Sequence, residues 1–425
     1  MRNQHRTAQQ LPLFTLITLY TIIFLGSAGF FITIPAYVSL FLTDHSLEFA
    51  KSMPIEQRRM LFGTVMSVAP FISMFFTPFI ARFADKFSRK TVIAICLVIA
   101  AIGFALPIYA IMVSSVIILF VGNMINSLGS ASQPIAQAIL ADNSEGKNKA
   151  TLMSLVAVVM TAAMSFGPAL GSKLSASYGA QAPFYACLLI AIVSLALLFI
   201  IRLPIQNTVK EENPFSFAKP LKRSQKGLLN CLFIVFICQF SWSLYFQNIA
   251  FIFPQKWNIA VESEFYQYFM MGIGIVMIFS LLLLPRLILK RFSVSSALRV
   301  TTALSAIGML LLTITPTPTS HVLAMIFTAT MVALCFPLYI TALSDRASDI
   351  DQGWAMALSS AMVGLAWTLT GYLTAMMVNV HLLLPTGIAV IGYLAAMVVV
   401  TTQNTTTEKK TPSELEAEWQ TAKHP

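Results

Sequence analysis

Two stripes of uncharged polar residues stand out within long apolar runs. Asn123, Asn126, Ser130, Gln133 and Gln137 recur at steps of 3, 4, 3 and 4, which puts them on one helix face. Gln239, Ser243 and Gln247 recur at steps of 4, with Trp242 and Asn248 beside them. Carboxamides and hydroxyls donate and accept hydrogen bonds without carrying charge. Two such faces form a neutral cavity that suits a polar or amphipathic solute better than a small ion. The same faces also serve to bond helix to helix, which is the plainer use of any one of these residues. Mid-span carboxylates and imidazoles are absent: Asp85, Asp142, Glu262, Glu264 and Asp345 fall in loops or at run ends, as do the five histidines. There is no H-E-x-x-H, no G-x-S-x-G and no paired acids inside a run, so a membrane enzyme lacks its catalytic set. The five cysteines sit singly in apolar runs without metal-ligand spacing and read as packing residues. No metal and no cofactor is expected.

The elements that carry these stripes must be membrane helices. Hydrophobic residues are 57% of the 425-residue chain and charged residues 10%, against about 25% charge in a soluble domain. One or two soluble cores cannot hide that much apolar surface. Runs long enough to cross a bilayer lie near 12–42, 61–83, 91–111, 113–140, 149–172 and 182–203. A second set lies near 228–253, 264–285, 294–314, 320–344, 352–378 and 382–401. The reading gives an N-terminal bundle (1–203), a polar linker (204–227), a C-terminal bundle (228–401) and a polar tail (402–425). Within the tail, Ser413 and Glu416 have capping-box spacing.

The net charge of +10 does not describe a nucleic-acid surface, because the bases sit in short loops between apolar runs. Alternate loops hold Arg82, Lys86, Arg89, Lys90, Lys147, Lys149, Arg286, Lys290, Arg291 and Arg346, with the linker and tail. The opposite loops hold only Lys51, Arg58, Arg59, Lys173 and Lys256. The positive-inside rule then puts both termini in the cytosol, with the first run as an uncleaved signal anchor. Trp257 and Trp354 fall near span ends, as interfacial anchors do.

The two sets of runs resemble each other. Asp142 and Asp345 close the fourth and tenth spans, and Met153 and Met356 follow at the same offset. Pro78 precedes Arg82, Lys86, Arg89 and Lys90, and Pro285 precedes Arg286, Lys290 and Arg291. The expected fold is an all-α membrane protein of twelve transmembrane helices in two six-helix pseudo-repeats. Such repeats place a solute site between the halves near the midplane.

Two motifs connect this pattern to a family. A-R-F-A-D-K-F-S-R-K (81–90) resembles the loop 2–3 signature of the major facilitator superfamily, with Asp85, Arg89 and Lys90 matching and Ala81 and Ser88 in place of glycines. M-S-F-G-P-A-L-G-S in the fifth span resembles the G-P-x-x-G core of the antiporter motif of its exporters, through Gly167, Pro168 and Gly171. The first half as a whole resembles the tetracycline-efflux branch of drug:proton antiporters. Asp142 and Lys149 fit that branch's acid and base flanking loop 4–5. The resemblance implies alternating access, with Asp85 approaching the start of the eleventh helix to close the inner side. It assigns gating to Asp85, Arg89, Lys90, Asp142, Lys149, Gly167, Pro168 and Gly171.

Two departures bear on coupling. The branch carries an acid in the first span where this chain has Gly26, and an arginine in the fourth where it has Asn123. Three couplings stay open: proton antiport through Asp142, Asp85 or Glu264 at the rims, another ion, or uniport. The expected activity is export of a small drug-like or metabolite solute across a bacterial inner membrane by a monomer. The alternative is import or facilitated passage of a small metabolite or siderophore on the same fold. Lipid, the solute and a proton are the expected partners; nucleic acid is not.

Overall fold

The structure, a computed structural model, describes residues 11–43, 52–144, 146–203, 226–288, 290–346 and 352–407. Most of the linker (204–225), the end of the tail with its Ser413–Glu416 capping box, and the side chains of Asp85, Lys149 and Trp354 lie outside what is described. Thirteen helices are present among the described residues. They are α1 (Leu13–Leu42), α2 (Ile55–Lys86), α3 (Arg89–Met112), α4 (Val116–Gly129), α5 (Ser132–Asp142), α6 (Gly146–Tyr178) and α7 (Ala182–Ile200). The second half holds α8 (Lys226–Trp257), α9 (Glu264–Ile288), α10 (Val294–Ile314), α11 (Pro318–Ser344), α12 (Gln352–Val380) and α13 (Leu384–Thr407). With α4 and α5 counted as one, twelve helices are long and apolar enough to cross a membrane. They coincide with the predicted spans; the second starts earlier and the last ends later, because polar flanks such as Glu56 and Arg59 stay helical.

The fourth span departs from expectation in one respect. It does not run uninterrupted over 113–140 but tightens into a single 3₁₀-like turn at Ser130 and Ala131. Pro134 is the local cause. It has no N–H for the Ser130 carbonyl, and its ring crowds that oxygen. Gln133 N–H takes the carbonyl instead at 3.0 Å, and Ala131 N–H bonds Leu128 O, three residues back. The turn lies near the middle of the 27-residue span.

Helix contacts repeat after a shift of six spans. α1 packs on α6 and α7, as α8 packs on α12 and α13. α3 packs on α4 and α7, as α10 packs on α11 and α13. The halves meet through α2 against α12 and α6 against α9, and the same shift exchanges these two pairs. That is the pseudo-two-fold expected of two matched bundles. Interior residues such as Leu19, Tyr37, Tyr245 and Tyr393 are fully buried, whereas Ile117, Leu189, Phe279 and Ile391 are largely exposed. Lipid is the natural solvent for that apolar exterior. All five cysteines are free and buried.

Candidate solute site and its supports

The first-half stripe does not face one cavity; the turn at Ser130 fans it across three neighbours. Asn123 is 4% exposed, and its Nδ2 donates to Val65 O of α2 at 3.0 Å. It ties α4 to α2 rather than facing a solute. Ser130 Oγ sits 3.1 Å from Ser73 Oγ of α2 and donates to Ser127 O at 2.7 Å. Gln137 turns to α6, where its Nε2 reaches Met160 Sδ at 3.4 Å, a weak partner. The carboxamides of Asn126 and Gln133, by contrast, bond to no described group.

Asn126 lines a cavity of about 150 Å³ between α1, α2, α3 and the tightened turn. Gly26, Phe30, Ser73, Phe104, Ser127 and Ser130 are among the other lining residues. The lining carries hydroxyls, one carboxamide and two aromatic rings, and no ionisable side chain. Gln133 packs on Gly26: a Cβ there would stand 2.7 Å from Gln133 Cβ and 3.2 Å from its Oε1. Gly26 therefore makes room for the Gln133 side chain.

The donors of the second-half stripe are spent on its own helices, while Gln247 Oε1 and Asn248 Oδ1 are buried with no partner among the described residues. Gln239 Nε2 donates to Tyr339 Oη of α11 at 2.6 Å, and Trp367 Nε1 of α12 donates to Gln239 Oε1 at 3.2 Å. Thr370 Oγ1 of α12 gives its proton to Ala366 O, so it accepts from Ser243 Oγ at 2.6 Å and from Gln247 Nε2 at 2.9 Å. Asn248 Nδ2 donates to Leu382 O and Thr386 Oγ1. Trp242 is 2% exposed and its indole N–H has no partner. Its ring meets Phe246 in a tilted pair at 5.9 Å, and Phe246 meets Phe31 and Trp367 at 6.0 and 5.8 Å. This aromatic group joins the two halves near mid-depth. The sequence reading missed Phe30, Phe31, Phe246 and Trp367, since aromatics at such spacing read as ordinary core.

The residues expected to gate separate into two groups. On the predicted inner side, Arg89 Nη1 pairs with Asp142 Oδ2 at 2.8 Å, joining α3 to α5. Lys90 Nζ donates to Ile201 O at 2.6 Å and to Phe199 O at 3.2 Å, covering the last carbonyls of α7. Both contacts lie within the first half. In the fifth span, Pro168 is buried and Gly167 and Gly171 face α1. A Cβ on Gly167 would stand 2.8 Å from Phe31 Cβ, and one on Gly171 would run into the Ile32 carbonyl. The motif brings two helix backbones together.

Hydrogen bonds between described residues of the two halves cluster at the predicted outer face. Arg59 Nη1 of α2 donates to Asn379 Oδ1 of α12 at 3.2 Å, and Asn379 Nδ2 donates back to Glu56 O at 3.3 Å. Ser172 Oγ of α6 donates to Val261 O at 2.6 Å. Below them, a Cβ on Gly63 would stand 2.6 Å from Ala375 Cβ, and Phe62 meets Phe251 at 5.6 Å. The predicted outer end of the seam is closed. Among the described residues no cluster of His, Cys, Asp or Glu stands ready to hold a metal ion.

Comparison with known proteins places this geometry. The family described as the Major Facilitator Superfamily matches residues 16–371. The chain is similar to a "Tetracycline resistance protein, class G" of Vibrio anguillarum, 27% identical over 140 residues, 32% of this chain and 34% of that protein. It is similar to a "Tetracycline resistance protein, class E" of Escherichia coli, 22% identical over 231 residues, 53% of this chain and 54% of that protein. The matched stretches thus span about a third to a half of those relatives' length. Among solved structures, a D-xylose-proton symporter superposes with a TM-score of 0.71 at 16% identity, covering 91% of this chain and 96% of its own. The human organic anion transporter MFSD10 superposes with a TM-score of 0.66 at 15% identity, covering 92% and 100%. At such identities the likeness is one of fold.

Proposed function

The chain belongs to the major facilitator superfamily, and from that premise we propose that it exports a small drug-like or metabolite solute across a bacterial inner membrane. It is an integral membrane secondary transporter, not an enzyme. In the proposed orientation both termini are cytosolic, a single copy is the working unit, and residues 1–203 and 228–401 tip about a shared site. Arg89, Lys90 and Asp142 then brace the inner side of the first half, together with Asp85 and Lys149.

One observation carries the site: Asn126 opens an unbonded carboxamide onto an uncharged cavity at the tightened turn of the fourth span. An amide without a protein partner at mid-depth is costly unless water or solute supplies one. The cavity suits a neutral hydrogen-bonding group of the solute, with Phe30 and the aromatic group nearby for its apolar part. The C-terminal candidates Gln239, Ser243 and Gln247 line no part of that cavity and then act by holding α8 to α11 and α12. Export is supported by the Gly167–Pro168–Gly171 motif and by the likeness to tetracycline resistance proteins.

Purified protein in liposomes, loaded with tetracycline and then with other drug-like solutes under an imposed pH gradient, tests the proposal. Concentrative movement toward the outer side supports export. Movement only down the solute gradient would favour facilitated passage, and flux indifferent to the pH gradient would remove the proton. No ionisable side chain lines the cavity, so any proton coupling runs through rim groups such as Asp142.

A further inference from the structure

His321 was expected at a span end and outside the chemistry. It does stand at a span end, in the first turn of α11, but is completely buried there within the second half. Its ring lies among Trp257, Phe253, Phe269 and Tyr245, with centroids 4.9 to 5.9 Å away. Both nitrogens are engaged. Nδ1 lies 2.8 Å from Thr315 Oγ1, and Nε2 lies 2.8 Å from Tyr245 Oη.

The proton positions follow from the neighbours. Thr315 Oγ1 donates its one proton to Leu312 O at 3.1 Å, because a carbonyl only accepts. Thr315 must therefore accept from His321 Nδ1–H. In the neutral ring Nε2 is then bare, and it accepts the Tyr245 hydroxyl proton. The imidazole thereby links α8, α11 and the turn after α10.

That link underlies a strap. Residues 258–263 connect α8 to α9 across the outer face. Trp257 Nε1 donates to Pro316 O at 3.1 Å, and Lys256 Nζ donates to Thr315 O at 2.7 Å, so the end of α8 is bound to the turn that His321 holds. Asn258 has φ of 54°, a left-handed conformation that reverses the chain there. Ile259 N–H returns to Phe253 O at 3.1 Å. The strap then delivers Val261, 1% exposed, whose carbonyl accepts from Ser172 of the other half. Ser172 stands next to Gly171, where α6 is pressed on α1.

We propose that His321 is the positioning residue of the outer gate. It sets the strap so that the Val261 carbonyl meets Ser172 and holds the outer seam shut. The inference rests on the alternating-access reading above, and its test needs no solute. A cysteine replaces Phe62, which is 2% exposed at the outer seam against Phe251. A membrane-impermeant maleimide is added to right-side-out vesicles carrying the full chain; the five native cysteines are buried.

The parent reporter should label slowly. Ser172→Ala and His321→Phe should each label about three- to tenfold faster, the range one lost hydrogen bond allows. The pair combined should label no faster than either alone. Tyr245→Phe removes a single oxygen and should give a smaller rise, which guards against a merely misfolded His321→Phe. His321→Gln, which keeps one donor and one acceptor, should recover part of the parental rate. Parental labelling in His321→Phe and Tyr245→Phe, with fast labelling in Ser172→Ala, overturns the role of His321 alone. Parental labelling in all three overturns the strap as a gate. Fast labelling of the parent itself would instead contradict the closed outer seam.

Discussion

The two halves build one helix pairing with different chemistry. In the first half, α6 sits on α1 because Gly167 and Gly171 let the backbones touch at Phe31 and Ile32. In the second half, α12 sits on α8 through Ser243, Gln247 and Thr370, with Trp367 held by Gln239. A pairing made by glycines leaves amides free, whereas one made by amides uses them up. Asn126 and Gln133 lie on the fourth span, outside that glycine pairing, and stay unspent, whereas Gln239 and the Nε2 of Gln247 are committed. On the proposed reading, hydrogen-bond recognition of the solute falls to the first half, and the amides of the second half hold its helices together.

The contrast breaks most decisively at the glycines. Gly171→Val should abolish folded, extractable protein, because the added side chain meets a backbone carbonyl that cannot move aside. Overpacking of this kind costs about 1–3 kcal/mol even where neighbours yield. Detergent-solubilised yield and a melting curve check it; a normal melt would mean that α6 does not lie on α1 as described. Next in size, Gln239→Ala and Gln247→Ala should each cost about 1–2 kcal/mol of stability, within the range for polar contacts between membrane helices. Their melting temperatures should fall, and any transport loss should follow the fall in folded protein.

Asn126→Ala and Gln133→Ala should do the reverse. Melting should stay at the parental value while the KM for a transported solute rises about three- to tenfold. Asn123→Ala, one turn away on the same stripe, should behave like the second-half amides, since it removes the bond that ties α4 to Val65 O of α2. If Asn123→Ala and Asn126→Ala proved alike, the division between spent and unspent amides would fail. The smallest effect is expected at Arg89 and Asp142. The Asp142 side chain is 54% exposed, so Asp142→Asn should cost under about 1 kcal/mol, and less as salt rises. Melting at low and high salt decides that.

Much of the fold was legible because a bilayer demands long uninterrupted apolar helices, and few other chains contain them. The loop charges and paired motifs predicted two bundles for the same reason. The site was less legible. Spacing tells which residues share a helix face but not whether a neighbour already holds them. Asn123 and Asn126 look equivalent in sequence, and only the position of Val65 O separates them. The tightened turn left a signal in Gly129, Ser130, Ser132 and Pro134, yet proline inside a span is common enough not to compel it. The burial of His321 was not legible because its shell of rings comes from α8 and α9, far away in the chain.

The turn at Ser130 also constrains how the fourth span is oriented about its own axis. Wherever a membrane helix slackens its regular bonding, the loosened peptide groups must be directed at protein or water, for hydrocarbon offers them nothing. Any rotation that carried Ser130 toward the acyl chains would take its hydroxyl away from Ser73 and set the shortened turn against hydrocarbon. The irregularity therefore acts as a key that fixes which face of this one helix meets protein.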